Sequence, residues 1–267
     1  MTAAPEKLPA YFIPHGGGPC FFMEWDPPDT WNVMEEWLRD LGSRVKPKAI
    51  LVVSGHWEEE DFCAGSNPHP ELIYDYHGFP PETYEIKYSA PGSPALAAEA
   101  VSLLKKAGLP ARLDPQRGWD HGVFIPFKVI YPKADIPIVQ LSLHESLDPE
   151  MHLKAGRALE SLRAQNVLIA GSGMSYHNLR RFMGGSGTNE KSDQFDHWLT
   201  ETVTARPSER DRLLAQWETA PAARDAHPRE EHLIPLMVAA GAAASDSGEK
   251  VYADRVMGAS LSAYKFG

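Results

Sequence analysis

Residues 49–56, AILVVSGH, run from uninterrupted aliphatic side chains into serine, glycine and histidine. A β-branched run with no polar alternation is the pattern of a strand covered on both faces. Residues 136–143 (IPIVQLSL) and 166–170 (NVLIA) read the same way, and residues 11–14 (YFIP) form a shorter run stopped by Gly16-Gly17-Gly18. Helical stretches lie between them. Ser93 precedes Pro94 and an alanine-rich segment ending near Gly108, and Asp148-Pro149 opens a helix running to about Arg163. A capping side chain and a proline at the first helical position mark both starts. Further helices are expected over residues 31–41, 192–204, 208–217 and 230–240, with Pro235 tolerated near the start of the last. Residues 250–264 read as two short strands. Buried strands alternating with helices predict an α/β fold: a central mixed, largely parallel sheet flanked by helices. The absence of a linker or an internal repeat predicts a single domain over residues 1–267.

The formal net charge is −10, and no run of basic residues exceeds two. Nucleic acid and anionic membrane both call for a clustered basic surface, so neither is an expected partner. The first ten residues, MTAAPEKLPA, lack the apolar core of a signal peptide, and no stretch is apolar for the length of a membrane span. Cys20 and Cys63 form no CxxC pair and no disulfide framework, so the reduced cytoplasm is the expected compartment. Quaternary state is open, a homo-oligomer included.

Histidines carry the chemistry. His15 follows the first strand in FIPHGGGP, and His56 is expected to end the second in VVSGHWEEE. Ligands of open α/β sheets bind beyond the carboxyl ends of the strands, and consecutive strands are usually neighbours, so these two should stand side by side. His177 follows the strand NVLIAGSG, and His232 lies in HPREEHLIPL near a helix start. That helix would turn either His232 or Glu231 inward, not both. His121, in RGWDHGVF, lies between Asp120, which could orient it, and a glycine. Imidazole is the commonest metal ligand among side chains, and imidazoles gathered from distant segments are how a buried catalytic metal is held. HGGG also resembles the oxyanion loop of lipases, but no GxSxG elbow follows. HExxH and paired cysteines are absent, as is a phosphate-loop GK[ST]. Residues 67–91, rich in proline and aromatics, are expected to cover the site; Tyr74, Tyr76, Phe79 and Tyr84 either line its pocket or pack the cover.

The ordered series HGGGP, SGHW, YSAPGSPALA, WDHG, SGMSYHNL and HPREEHLIPL resembles the class III extradiol ring-cleavage dioxygenases. The closer likeness is to the DOPA 4,5-dioxygenase branch of the protocatechuate 4,5-dioxygenase β-subunit superfamily, from about residue 10 to the C-terminal strands. The resemblance implies a metal site at the C-terminal rim of the sheet, with His15, His56 and His232 matching ligands. The counterpart of His177 is a further metal ligand in DOPA-type members and an active-site base in the wider superfamily. His121 matches a histidine beside the substrate hydroxyls, with Asp120 expected to fix its tautomer.

The implied activity is cleavage of a catecholic substrate by O₂ next to its two hydroxyls, giving a muconic semialdehyde-type product. Fe(II) is the expected cofactor, and Zn(II) suits the same ligands. The alternatives are a zinc-dependent hydrolase of a small aromatic or acyl substrate, and a non-enzymatic binding protein on the same scaffold.

Overall fold

The computed structural model describes residues 7–182 and 190–267. The strands are β1 (Ala10–Pro14), β2 (Ala49–Glu59), β3 (Phe62–Gly65), β4 (Ala111–Asp114), β5 (Ile138–His144), β6 (Val167–Gly173), β7 (Gly248–Val256) and β8 (Ala259–Phe266). The helices are α1 (Asn32–Arg44), α2 (Pro94–Lys106), α3 (His121–Ile130), α4 (Pro149–Leu159), α5 (Leu179–Phe182), α6 (Glu190–Thr204), α7 (Pro207–Ala215), α8 (Ala223–Ala226) and α9 (Ile234–Ala243). One eight-stranded sheet has the order β4-β3-β5-β2-β6-β1-β8-β7. Its centre, β5-β2-β6-β1, is parallel throughout; β8 joins β1 antiparallel, and β3 joins β5 antiparallel. The expected mixed, largely parallel α/β sheet is therefore present. Among the described residues no helix is long and apolar enough to cross a membrane.

The apolar runs became the central strands because both sheet faces are covered. Every residue of β1 and β6 is buried. Successive strand residues point to opposite faces, and β6 shows what lies on each. The α-carbon of Gly171 is tight against the Pro235 carbonyl, while the next side chain, Ser172, donates to the Gly122 carbonyl on α3. Hence α9 and α3 sandwich the sheet. Helix α4 packs on α9, and α1 on α3. The Ser93 and Asp148 side chains accept from Leu96 N and Met151 N at the starts of α2 and α4, as their sequences predict.

Several expected boundaries shift. Strand β2 does not stop at His56 but continues to Glu59, with its pairing to β5 irregular between Val53 and Glu58. Such an irregularity re-aims side chains at a sheet rim, and His56 lies within it. The last long helix begins at Ile234 rather than Glu230, so His232 lies in the turn that precedes it. The helix expected to reach Arg163 ends at Leu159 and tightens into a 3-10 turn over Glu160–Gln165. Helix α3 carries Pro126 internally and is buried at every position except Lys128, so it has no polar face to betray its period.

Candidate metal centre

The carboxyl ends of β1, β2 and β6 deliver the site. His15 leaves β1 with its backbone N–H on Gly173 O at 3.2 Å, and Met174 N–H donates to His232 O at 3.0 Å. The turn carrying His232 can lie this close only because β6 ends in glycine. A Cβ on Gly173 would stand 2.1 Å from His232 O. His56 is braced at both ends of its own peptide unit. Its N–H donates to Ser54 Oγ at 3.2 Å, and Arg117 reaches its carbonyl at 3.5 Å. Both braces are gripped by the buried Asp120, which accepts from Ser54 Oγ at 2.7 Å, from Arg117 at 3.2 Å and from Gln140 Nε2.

Three imidazoles converge. His56 Nε2 is 3.2 Å from His15 Nε2 and 3.1 Å from His232 Nε2, and one ligand atom from each of the three lies within 4.8 Å of the others. Hydrogen-bond partners assign the tautomers of His15 and His232. Ser172 Oγ gives its proton to the Gly122 carbonyl and therefore accepts from His15 Nδ1–H at 3.1 Å. His232 Nδ1–H donates to Glu231 Oε1 at 2.9 Å, and His56 Nδ1 faces Asp75 Oδ2 at 3.5 Å. With the Nδ1 protons of His15 and His232 directed outward, their Nε2 lone pairs face His56 Nε2, and a shared cation would engage all three nitrogens. Two nitrogens on one ion at about 2.0–2.1 Å, subtending about 90–110°, sit about 2.8–3.4 Å apart. The donor set therefore fits a transition-metal ion, backed by the carboxylate and hydroxyl partners that metal-bound imidazoles usually have.

Electrostatics keep these rings neutral. Burial first, then the neighbouring imidazoles, lowers His15 and His232 well below the ordinary histidine value. Burial and His121 bring His56 down to about 4. Burial pushes the Asp75 carboxyl up, but its hydrogen bond and charge interaction with His121 outweigh that and hold it at about 2. Glu231 is lowered in the same way, its bond to His177 opposing burial.

His121 and His177 flank the three. His121 opens α3; its ring centroid is 4.0 Å from that of His56, and its Nδ1 is 2.9 Å from Asp75 Oδ1. The expected partner was Asp120. That carboxylate is already engaged by Ser54, Arg117 and Gln140, and makes no cap bond to α3. His177 places Nδ1 3.3 Å from Glu231 Oε1, and its ring stacks on His232 with centroids 3.4 Å apart and planes 15° from parallel. Glu231 and His232 thus both point inward, against expectation. They sit in a turn, where the angular spacing of a helix does not separate them.

Asp75, Ser172 and Glu231 order the imidazoles, and Asp75 and Ser172 carried no local signal in the sequence. The aromatics of residues 67–91 pack the cover. Tyr74, Tyr76 and Tyr84 donate their hydroxyls to the carbonyls of Ile86, Thr83 and Tyr76. Tyr76 also touches the His121 ring edge-on at 5.8 Å. His152 is buried beside His144, away from this cluster, and His197 is exposed on α6.

Residues 9–265 match the family described as the catalytic LigB subunit of aromatic ring-opening dioxygenase. The chain is 38% identical over 285 residues to "Dioxygenase tasH" of Hapsidospora irregularis, covering 97% of this chain and 85% of that one. It is 39% identical over 267 residues to "4,5-DOPA dioxygenase extradiol" of Beta vulgaris, covering 96% and 95%. The crystal structure of the uncharacterized protein JW3007 from Escherichia coli K12 superposes with a TM-score of 0.80 at 30% identity, covering 98% of this chain and all of that one. With its histidines gathered at the rim of that shared fold, this chain belongs to the aromatic ring-opening dioxygenase family of the catalytic LigB subunit.

Proposed function

We propose that the protein is an extradiol dioxygenase that opens the ring of a catecholic substrate with O₂, giving a muconic semialdehyde-type product. Its metal ion would be held by His15, His56 and His232. The observation that carries this reading is the facing Nε2 set, at 3.1 and 3.2 Å, with the Nδ1 protons of His15 and His232 directed at Ser172 and Glu231 and His56 Nδ1 facing the Asp75 carboxylate. Fe(II) bound there would supply Lewis acidity toward a catechol hydroxyl and redox chemistry toward O₂; Zn(II) offers the first without the second.

The chain's own residues handle protons and orientation. His121 gives its Nδ1–H to Asp75, so its Nε2 is a free acceptor for a substrate hydroxyl proton. His177 serves as the second acid–base group. A metal lies close to the plane of each imidazole that binds it, and two nearly parallel rings 3.4 Å apart share no such point. That stacking supports a base beside His232 rather than a fourth ligand. His15 and His232 are buried while His56 is partly exposed, so the converging nitrogens are reached from the His56 side.

The test is an aerobic screen of catechols with Fe(II)-reconstituted protein, following the yellow semialdehyde. DOPA goes first because relatives carry its name. Product must form with Fe(II) and O₂ and stop anaerobically. Turnover that persists without O₂, or with Zn(II) alone, would instead mean a hydrolase.

A further inference from the structure

Two carboxylates each serve one converging and one flanking histidine. Glu231 does so for His232 and His177 from the adjacent position in the chain, while Asp75 does so for His56 and His121 from the covering segment. Asp75 Oδ1 accepts from both the backbone N–H and Nδ1 of His121, each at 2.9 Å, and Oδ2 faces His56 Nδ1 at 3.5 Å. It therefore also supplies the first-turn acceptor for α3 that Asp120 does not provide. The segment is fastened close by. Ile73 N–H donates to Trp119 O at 2.7 Å, Trp119 N–H donates to Glu71 O at 2.9 Å, and the Phe79 ring lies against the α-carbon of Gly18.

We propose that Asp75 is a positioning residue that makes assembly of the site depend on docking of residues 67–91. It holds His56 and His121 as Nδ1–H tautomers, each with Nε2 directed inward. An imidazole without such a partner in water favours the Nε2–H form, which would block both a metal lone pair on His56 and the proton acceptor on His121. The effect on turnover rests on the ring-cleavage reading; the effect on the imidazoles does not.

Long-range ¹H–¹⁵N NMR of metal-free protein at pH 8 reads the tautomers directly. In wild type, His56 and His121 should both be Nδ1–H. Asp75→Ala should convert both toward Nε2–H while His15, held by Ser172, stays Nδ1–H and reports an intact fold. Asp75→Asn keeps the volume and one acceptor oxygen but turns an amide against His56, so it should convert His56 alone; it also serves if the alanine variant does not fold. Zn(II) affinity should fall on the order of 10–100-fold in both variants. In the Fe(II) enzyme, kcat should fall by a similar factor with little change in KM, and Asp75→Glu should recover part of it. Unchanged tautomers and Zn(II) affinity in the alanine and asparagine variants would overturn the proposal. If wild type opens no ring, the tautomer and Zn(II) readings still decide it.

Discussion

Replacing Gly173 with alanine should displace His232 and weaken the metal centre without unfolding the protein. The new Cβ would lie 2.1 Å from His232 O, 3.0 Å from Phe12 Cε2 and 3.1 Å from the His232 carbonyl carbon. Carbon and oxygen in contact rest about 3.3 Å apart, so β6 and the turn before α9 must separate by about 1.2 Å. The Met174 N–H bond to that carbonyl, now 3.0 Å, would be stretched out of range. His232 Nε2, now 3.1 Å from His56 Nε2, would move with its backbone. Overpacking of this kind costs about 1–3 kcal/mol, a drop of about 2–4 °C in Tm per kcal/mol for a domain of this size. A misplacement of about 1 Å at a site group costs on the order of 100-fold in rate. Calorimetric Zn(II) titration, paired with a melting curve, separates the two effects: affinity should fall on the order of tenfold or more while a cooperative transition remains. A folded Gly173→Ala protein with wild-type Zn(II) affinity would refute the reasoning, because His232 would then bind no metal or not depend on that contact.

His15→Ala or His56→Ala should abolish both metal content and turnover, checked by elemental analysis and the catechol assay. His121→Ala should keep its metal but lose on the order of 100-fold in rate; full activity would remove His121 from the chemistry. His152 gives an acid-stability prediction far from the metal centre. Its Nδ1–H donates to Asp148 O at 2.6 Å and its Nε2 accepts from His144 N–H at 3.1 Å, so a second proton has no place. Burial brings it to about 4. The folded chain then binds that proton less tightly than the unfolded chain, so its contribution is full above pH 6.5 and drains away as pH falls toward 4. In urea unfolding of metal-free protein, the stability difference between wild type and His152→Leu should shrink by about 3 kcal/mol between pH 7 and pH 4. A difference that stays constant would mean that His152 is not buried neutral.

The central sheet was legible because β2, β5 and β6 are buried on both faces and so read as continuous apolar runs. Strands β3 and β4 were not, being four residues each and carried as FCAG and ARLD. Helix α3 was hidden by its uniform burial and its internal proline. The histidines could be placed because they lie at the same rim, just beyond a strand end or at a helix start, except His56, which lies in the irregular outer part of β2. Their partners could not. Asp75 reaches His121 across 46 positions and Ser172 reaches His15 across 157, so the pairings exist only once the sheet is assembled. Asp120 misled for the converse reason: adjacency in sequence proposed a bond that its own burial among Ser54, Arg117 and Gln140 forbids.

Strand β1, which leads directly into His15, is flanked by β6 and by β8, with Ala10 opposite Phe266. On a ribosome, residue 10 therefore waits for residue 266 before its antiparallel neighbour exists, and this long-range pairing comes late because the intervening loop must close first. Nascent chains would carry the histidines one by one without a pocket to gather them. The proposed ligands lie at positions 15, 56 and 232, so the pocket they would form cannot be complete until most of the chain has been made.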